Sequence, residues 1–264
     1  MPHAKANDIE IYYELSGPAG APVVMLSNSL GTRLEMWDPQ MPALSEGYRV
    51  LRYDSRGHGR SDAPPGPYSI AMLGEDARAL LDALGIATVH FCGLSKGGMV
   101  GQWLGTHHGR RLASLTLCAT AARLGPAELW NQRIEQSARD GMTSRVDGGT
   151  ERWFTAGSRA TPRPEIEQVR AMILATSPQG YGGCCAAIRD MDQSEAIRAI
   201  RTPTLIVAGA DDPATTVEVM RDLHERIPGS RFVQIPQAAH LLNIEQAGRF
   251  NRALTSFLAA QSVD

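Results

Sequence analysis

The stretch HFCGLSKGGMVGQWLG, residues 90–105, sets Ser95 between Gly93 and Gly97. An apolar run, VHFC, leads directly into it and a helix-like pattern, KGGMVGQWLG, leads directly out. A strand that turns sharply into a helix holds the turn residue in a strained conformation, and glycines are required on either side where side chains would collide. The serine then projects at the carboxyl edge of a sheet. The helix beginning at Lys96 points its free N–H groups and positive dipole end at the same spot, which favours an oxyanion. The chemistry this predicts is nucleophilic attack on an acyl carbon.

A serine hydroxyl is a weak nucleophile alone, so a base and an orienting acid must come from elsewhere in the chain. Among the histidines, His90 lies inside a strand, His107 and His108 near a helix end, and His224 mid-helix, all positions that suit structural or solvated roles. His240 follows the strand SRFVQIP in the loop QAAH and precedes the last helix, which places it at the same edge as Ser95. For the acid, TLIVAGADDP ends a strand at that edge with two carboxylates, Asp211 and Asp212. The chain order Ser, Asp, His is the one expected for a nucleophile on a strand-to-helix turn. An oxyanion needs two backbone donors, one after the nucleophile and one from an early loop. Lys96 N–H supplies the first, and Leu30 N–H, in the loop LSNSLGTRLEMW (26–37), the second. Asn28 and Ser29 of that loop are candidates for contact with substrate, or for ordinary loop hydrogen bonding.

These residues need elements to carry them. Short apolar or β-branched runs recur at 21–27, 48–54, 87–93, 112–119, 202–209 and 230–236, and helical spacing appears at 69–84, 96–108, 215–227 and 243–258. Near-continuous apolar strands alternating with helices indicate a parallel sheet covered on both faces. The opening DIEIYYEL alternates and reads as an antiparallel strand at the start of the sheet. The chain is α/β. Between about Ala121 and Ile197 the alternation stops, short helical patterns are broken by Gly and Pro, and arginines recur from Arg123 to Arg189. Such an insertion, lying over the strand ends, would form a lid. The expected division is a core of residues 1–121 and 198–264 with a helical cap at 122–197.

Composition narrows the partners. With 26 Lys+Arg against 28 Asp+Glu the formal charge is −2, which gives no basic footprint for nucleic acid. No apolar run approaches the ~18 residues of a membrane span, and the N-terminus lacks a cationic start followed by an apolar segment, so a cytoplasmic protein with no membrane partner is expected. Cys92, Cys118, Cys184 and Cys185 fit neither a disulfide framework nor a metal pair and read as buried free thiols. The expected partner is a small molecule; a homo-oligomer is left open.

The segments NSLGT, RYDSRGHGRSD, GLSKGG, GADDPAT and AAHLLNIE resemble the α/β-hydrolase fold superfamily, and their wording is most similar to the 3-oxoadipate enol-lactonases of aromatic-compound catabolism, the β-ketoadipate pathway. AELWNQRI, ERWF and GYGGCCAAIRDMD resemble the cap of those lactonases. The resemblance covers nearly the whole chain. It implies a mostly parallel central sheet flanked by helices, with a helical cap inserted after the sixth strand. It also implies a carboxylic ester hydrolase that opens an anionic enol-lactone through an acyl-enzyme, with no metal and no organic cofactor. By the pattern of relatives the acid lies three residues after the strand's last glycine, Gly209, which selects Asp212. Lys96 departs from the family, where the residue after the nucleophile is usually apolar; its side chain is expected to face solvent, the other reading being added positive potential near an anionic substrate. A general carboxylesterase or perhydrolase, a carbon–carbon bond hydrolase, and an idle binding protein are the rival readings.

The lactone's carboxylate requires a cation, since a desolvated unpaired anion is costly. Arg133 lies three residues after Trp130 in WNQRI, so on a helix both face one side and can present an aromatic wall beside a guanidinium. Trp153 is expected as a second wall of the pocket.

Overall fold

The computed structural model describes residues 2 to 261. Eight strands form one sheet: β1 (His3–Ala6), β2 (Ile9–Ser16), β3 (Val23–Ser27), β4 (Arg49–Tyr53), β5 (Val89–Leu94), β6 (Leu112–Cys118), β7 (Thr204–Gly209) and β8 (Arg231–Ile235). Their spatial order is β1-β2-β4-β3-β5-β6-β7-β8. β1 and β2 pair antiparallel with each other and β2 pairs antiparallel with β4, whereas all later pairs are parallel. The parallel strands VVMLS, VHFCGL and TLIVAG are buried at every position. That is why they read as unbroken apolar runs: both of their faces pack under helices. β1, sequence HAKA, was not anticipated, because four residues with one alternation carry too little pattern.

The flanking helices are α1 (Met41–Leu44), α2 (Ile70–Ala83), α3 (Lys96–His107), α4 (Ala127–Asp140), α5 (Thr143–Trp153), α6 (Ala156–Arg159), α7 (Pro164–Ala175), α8 (Pro178–Arg189), α9 (Val217–Arg226), α10 (Leu242–Glu245) and α11 (Ala247–Ala259). α2 starts where Ser69 accepts the Met72 N–H at 3.1 Å, a side-chain cap on the free first turn. The helix expected at 243–258 is two elements, because the chain leaves helical geometry at Gln246. A helical cap, α4 to α8, is inserted after the sixth strand, as expected. The four cysteines are free and buried, in line with the reading as inert thiols. No helix among the described residues is long and apolar enough to cross a membrane.

Candidate active site

β5 lies between β3 and β6 in the middle of the sheet, and it ends at Leu94, so Ser95 emerges at the carboxyl edge. Ser95 has φ 56° and ψ −115°, a conformation that L-residues rarely adopt. Close packing over-determines it. Ser95 N–H donates to Cys118 O at 2.9 Å, and Ser95 O accepts from Thr120 Oγ1 at 2.8 Å and from Met99 N–H at 3.0 Å. A side chain at Gly93 would meet Gly97 O at 2.1 Å, and one at Gly97 would meet Ser27 O at 2.1 Å. The spacing of these glycines around the serine is therefore a steric requirement of the turn.

Asp212 and His240 come together at the same edge. Asp212 Oδ2 lies 2.8 Å from His240 Nδ1 and also accepts the Thr215 hydroxyl at 2.6 Å. Asp212 Oδ1 accepts the N–H groups of Ala214 at 2.7 Å and Thr215 at 3.1 Å. Burial alone would raise the Asp212 carboxyl, but the facing His240 charge, its hydrogen bond and those of Thr215 and Ala214 together bring it below the usual carboxylate value. Asp211 is exposed, and its backbone N–H bonds Ala238 O. The other four histidines singled out have local partners elsewhere: His90 pairs with Ser114, His107 stacks on Trp103, His108 faces Glu75 and His224 pairs with Ser230.

Ser95 and His240 line one cavity of about 260 Å³ between sheet edge and cap. Of the other sequence-predicted residues, Ser29, Leu30, Trp130, Arg133 and Trp153 line it too. Ser29 Oγ is buried without a hydrogen-bond partner. The Trp153 ring lies roughly parallel to that of His240 with centroids 6.5 Å apart, and Leu241 N–H bonds Trp153 O. The Arg133 guanidinium sits 4.7 Å over the Trp130 ring, the shared helix face that their spacing predicts.

One expectation is corrected and one alternative is settled. Lys96 does not face solvent: it is 1% exposed, and its ammonium donates to Ser55 Oγ beneath the turn. Burial lowers its pKa, while Cys184, Asp76 and Asp54 act the other way. Asn28, which the sequence left between substrate contact and loop hydrogen bonding, does not line the cavity and takes the second role, accepting from Trp37 Nε1 at 3.0 Å and donating to Tyr53 O at 2.8 Å.

Several participants escaped the sequence reading. Arg145 and Arg152 join Arg133 in the cavity wall, and among the described residues none of the three forms an ion pair with a carboxylate. Burial and then the neighbouring Arg133 charge, with a further contribution from Arg145, pull the Arg152 pKa below that of a free guanidinium. Tyr181 closes the same wall, with burial raising its phenol. Glu245 clamps cap to core: its Oε1 accepts the Thr155 N–H at 2.8 Å and hydroxyl at 2.6 Å, and its Oε2 accepts Ala239 N–H at 2.7 Å, one residue before His240. The arginines were indistinguishable from other cap arginines in sequence. Glu245, within AAHLLNIE, shares a segment with His240, which was the only available signal.

A strand-turn-helix serine, an Asp–His pair on later strand ends and an inserted cap define a class. Residues 22–141 and 166–247 match the family model described as alpha/beta hydrolase fold, and the chain belongs to that family. Within it the chain is similar to 3-oxoadipate enol-lactonase 2 of Acinetobacter baylyi, with 38% identity over 96% of this chain and 94% of the relative. The solved enol-lactonase of Burkholderia xenovorans LB400 superposes with a TM-score of 0.96 at 41% identity, covering 98% of this chain and 100% of that one. A thermophilic esterase from Thermogutta terrifontis superposes with a TM-score of 0.92 at 29% identity over 99% of each chain. The resemblance to enol-lactonases is thus borne out, and the protein is a hydrolase of lactones or esters.

Proposed function

We propose that the protein hydrolyses 3-oxoadipate enol-lactone to 3-oxoadipate in the β-ketoadipate pathway, by covalent catalysis at Ser95. His240 takes the Ser95 proton as the hydroxyl attacks the lactone carbonyl, and Asp212 holds the imidazole with its proton on Nδ1, leaving Nε2 to act as base. The carbonyl electron pair moves onto oxygen, where the N–H groups of Leu30 and Lys96 stabilise it. Collapse of this tetrahedral species breaks the ring C–O bond and expels an enolate, which takes the proton held by His240 and becomes the ketone, leaving His240 neutral again. The acyl chain stays on Ser95 until water, activated by His240, releases it. No step calls for a metal or organic cofactor.

The observation that carries the substrate assignment is the set of three arginines that lines the cavity of the nucleophile. Arg133, Arg145 and Arg152 share one small cavity with Ser95 and His240, and among the described residues none of them is in an ion pair with a carboxylate. An anionic lactone satisfies that charge, whereas a neutral ester leaves it unmet. Ser29 Oγ and the Trp130 and Trp153 rings complete the pocket, and the small volume suits a single ring with a short arm. A side-by-side assay on the enol-lactone, p-nitrophenyl acetate and a vinylogous diketone tests the reading. The expected order of kcat/KM puts the enol-lactone first by at least about 10²-fold, the worth of a charge-assisted contact. Preference for the acetate would make the protein a general carboxylesterase, and preference for the diketone a carbon–carbon bond hydrolase.

A further inference from the structure

The loop after β4 touches both sides of the oxyanion site. Its His58 is 1% exposed, and its Nε2 accepts the Gly31 N–H at 2.8 Å. His58 Nδ1 lies 3.2 Å from Arg56 O and donates to it, which assigns the proton to Nδ1 and leaves Nε2 as the acceptor. Burial, reinforced by the Lys96 charge, drives the His58 pKa far below its ordinary value, so the ring is neutral. The loop itself is anchored: Arg56 pairs with Asp76 on α2 through contacts of 2.6 and 2.7 Å, and its Nη2 donates to Asn7 O at 2.9 Å.

Leu30 sits between two pinned peptides. On one side Ser29 O accepts the Thr32 hydroxyl at 3.0 Å and the Thr32 N–H at 3.4 Å. In a trans peptide C=O and N–H point in opposite directions, so this turns Leu30 N–H away from Thr32. On the other side the Gly31 N–H is fixed by His58, and Gly31 has φ +76°, a left-handed conformation that glycine adopts without strain. Three residues earlier in the loop, Ser55 accepts from the Lys96 ammonium, and Lys96 supplies the other donor N–H. One loop, 54–58, thereby grips the residues that carry both donors.

We infer that His58 is a positioning residue for catalysis: by accepting the Gly31 N–H, its neutral ring holds Leu30 N–H in the geometry the oxyanion needs, while Lys96 ties the same loop to the nucleophile turn. The inference rests on the oxyanion assignment made under the proposed function. His58 does not touch substrate, because Gly31 and Leu30 stand between; its effect falls on the transition state, where charge has moved onto oxygen, and spares ground-state binding.

The test is His58→Phe, which keeps a ring and removes the acceptor. The readouts are kcat and KM on the enol-lactone, the Ki of a small carboxylated trifluoromethyl ketone, and the Kd of adipate. The ketone adds Ser95 Oγ to its carbonyl carbon, the Ser95 proton passes to His240, and the electron pair rests as an oxyanion in the site. Adipate, which forms no bond to Ser95, reads ground-state binding. Expected are a fall in kcat of about 10–10²-fold, a matching rise in ketone Ki, and KM and adipate Kd within about threefold. His58→Gln, whose amide oxygen can accept, recovers part of the loss. If the phenylalanine variant does not fold, His58→Gln carries the test alone, with a smaller fall in kcat, a matching rise in Ki and unchanged adipate binding. Wild-type kcat and Ki in the folded variant, or equal losses in all constants, would overturn the positioning role. Ser95→Ala in the same assay separates the two levels: activity there overturns the triad reading itself, whereas an inactive Ser95→Ala beside a fully active His58→Phe overturns only this inference.

Discussion

The two walls of the cavity are held in opposite ways. On the sheet side the groups that position the reacting atoms have protein partners: Asp212 accepts four hydrogen bonds, Ser95 is pinned through its backbone, and Gly31 N–H ends on His58. On the cap side Arg133, Arg145 and Arg152 converge on the cavity, and the neighbouring charges oppose one another at Arg152. The sheet side is complete before a ligand arrives, as preorganised catalysis demands. The cap side carries three guanidinium groups outside any ion pair among the described residues. Under the proposed function, chemistry is set by backbone geometry and choice of substrate by side-chain cations on an inserted segment.

Substitutions can break this division. The largest effect belongs to Ser95→Ala, which should lower kcat by about 10⁴–10⁶-fold while leaving the thermal midpoint near wild type, since no core packing is lost. Steady-state kinetics beside a melting curve checks it, and activity within tenfold of wild type would remove the serine mechanism. Next comes the acid. Asp212→Asn should lower kcat by about 10³–10⁴-fold by supporting the wrong imidazole tautomer. Asp211→Asn, on an exposed side chain, should change kcat less than threefold, and the reverse ranking would refute the assignment.

The cap side should respond differently. Arg133→Ala should lower kcat/KM for the carboxylated lactone by about 10²-fold, as for loss of a charge-assisted hydrogen bond of ~2–3 kcal/mol, and should barely change an uncharged lactone of similar size. Equal losses on both lactones would mean that Arg133 supports the fold of the cap. Arg152→Met should raise the melting temperature by a few degrees at low salt, because it relieves like-charge repulsion in the wall. It should also diminish the stabilisation that added adipate gives the wild type. A smaller effect on turnover than at Arg133 is expected at the clamp. In Glu245→Gln an amide N–H₂ must face either Thr155 or Ala239 N–H, so the melting temperature should drop, with a loss of ~1–3 kcal/mol and a several-fold fall in kcat/KM.

What could be read without the fold follows the same division. Ser95, His240 and the pair Asp211 and Asp212 were legible because each sits where an apolar strand ends, so strand ends and chain order bring them to one edge; the choice of Asp212 within the pair came from the resemblance to relatives. The glycines beside Ser95 were legible for a steric reason, and Trp130 with Arg133 by helical spacing. Lys96 was misread because a lysine in a first helical turn is assigned to solvent by default; its acceptor, Ser55, comes from another loop that no local pattern links to it. Asn28 was ambiguous for the same reason, since its partners Trp37 and Tyr53 become neighbours only when β3 and β4 pair. Arg145 and Arg152 look in sequence like any other cap arginine, and only the way α5 closes over the cavity distinguishes them. β1 and the break at Gln246 lay below the length at which periodicity is informative.

The central claim is that Ser95 opens a lactone by becoming acylated, and rapid quench followed by intact-protein mass spectrometry tests it most directly. A lactone keeps its leaving group on the acyl chain, so the enol-lactone should add its whole mass to the protein, whereas p-nitrophenyl acetate adds only an acetyl group. The account predicts a transient adduct of whole-lactone mass within the turnover time, mapping by peptide analysis to Ser95 and absent in Ser95→Ala. Turnover of the lactone with no adduct at any quench time, or an adduct on a residue other than Ser95, would contradict it.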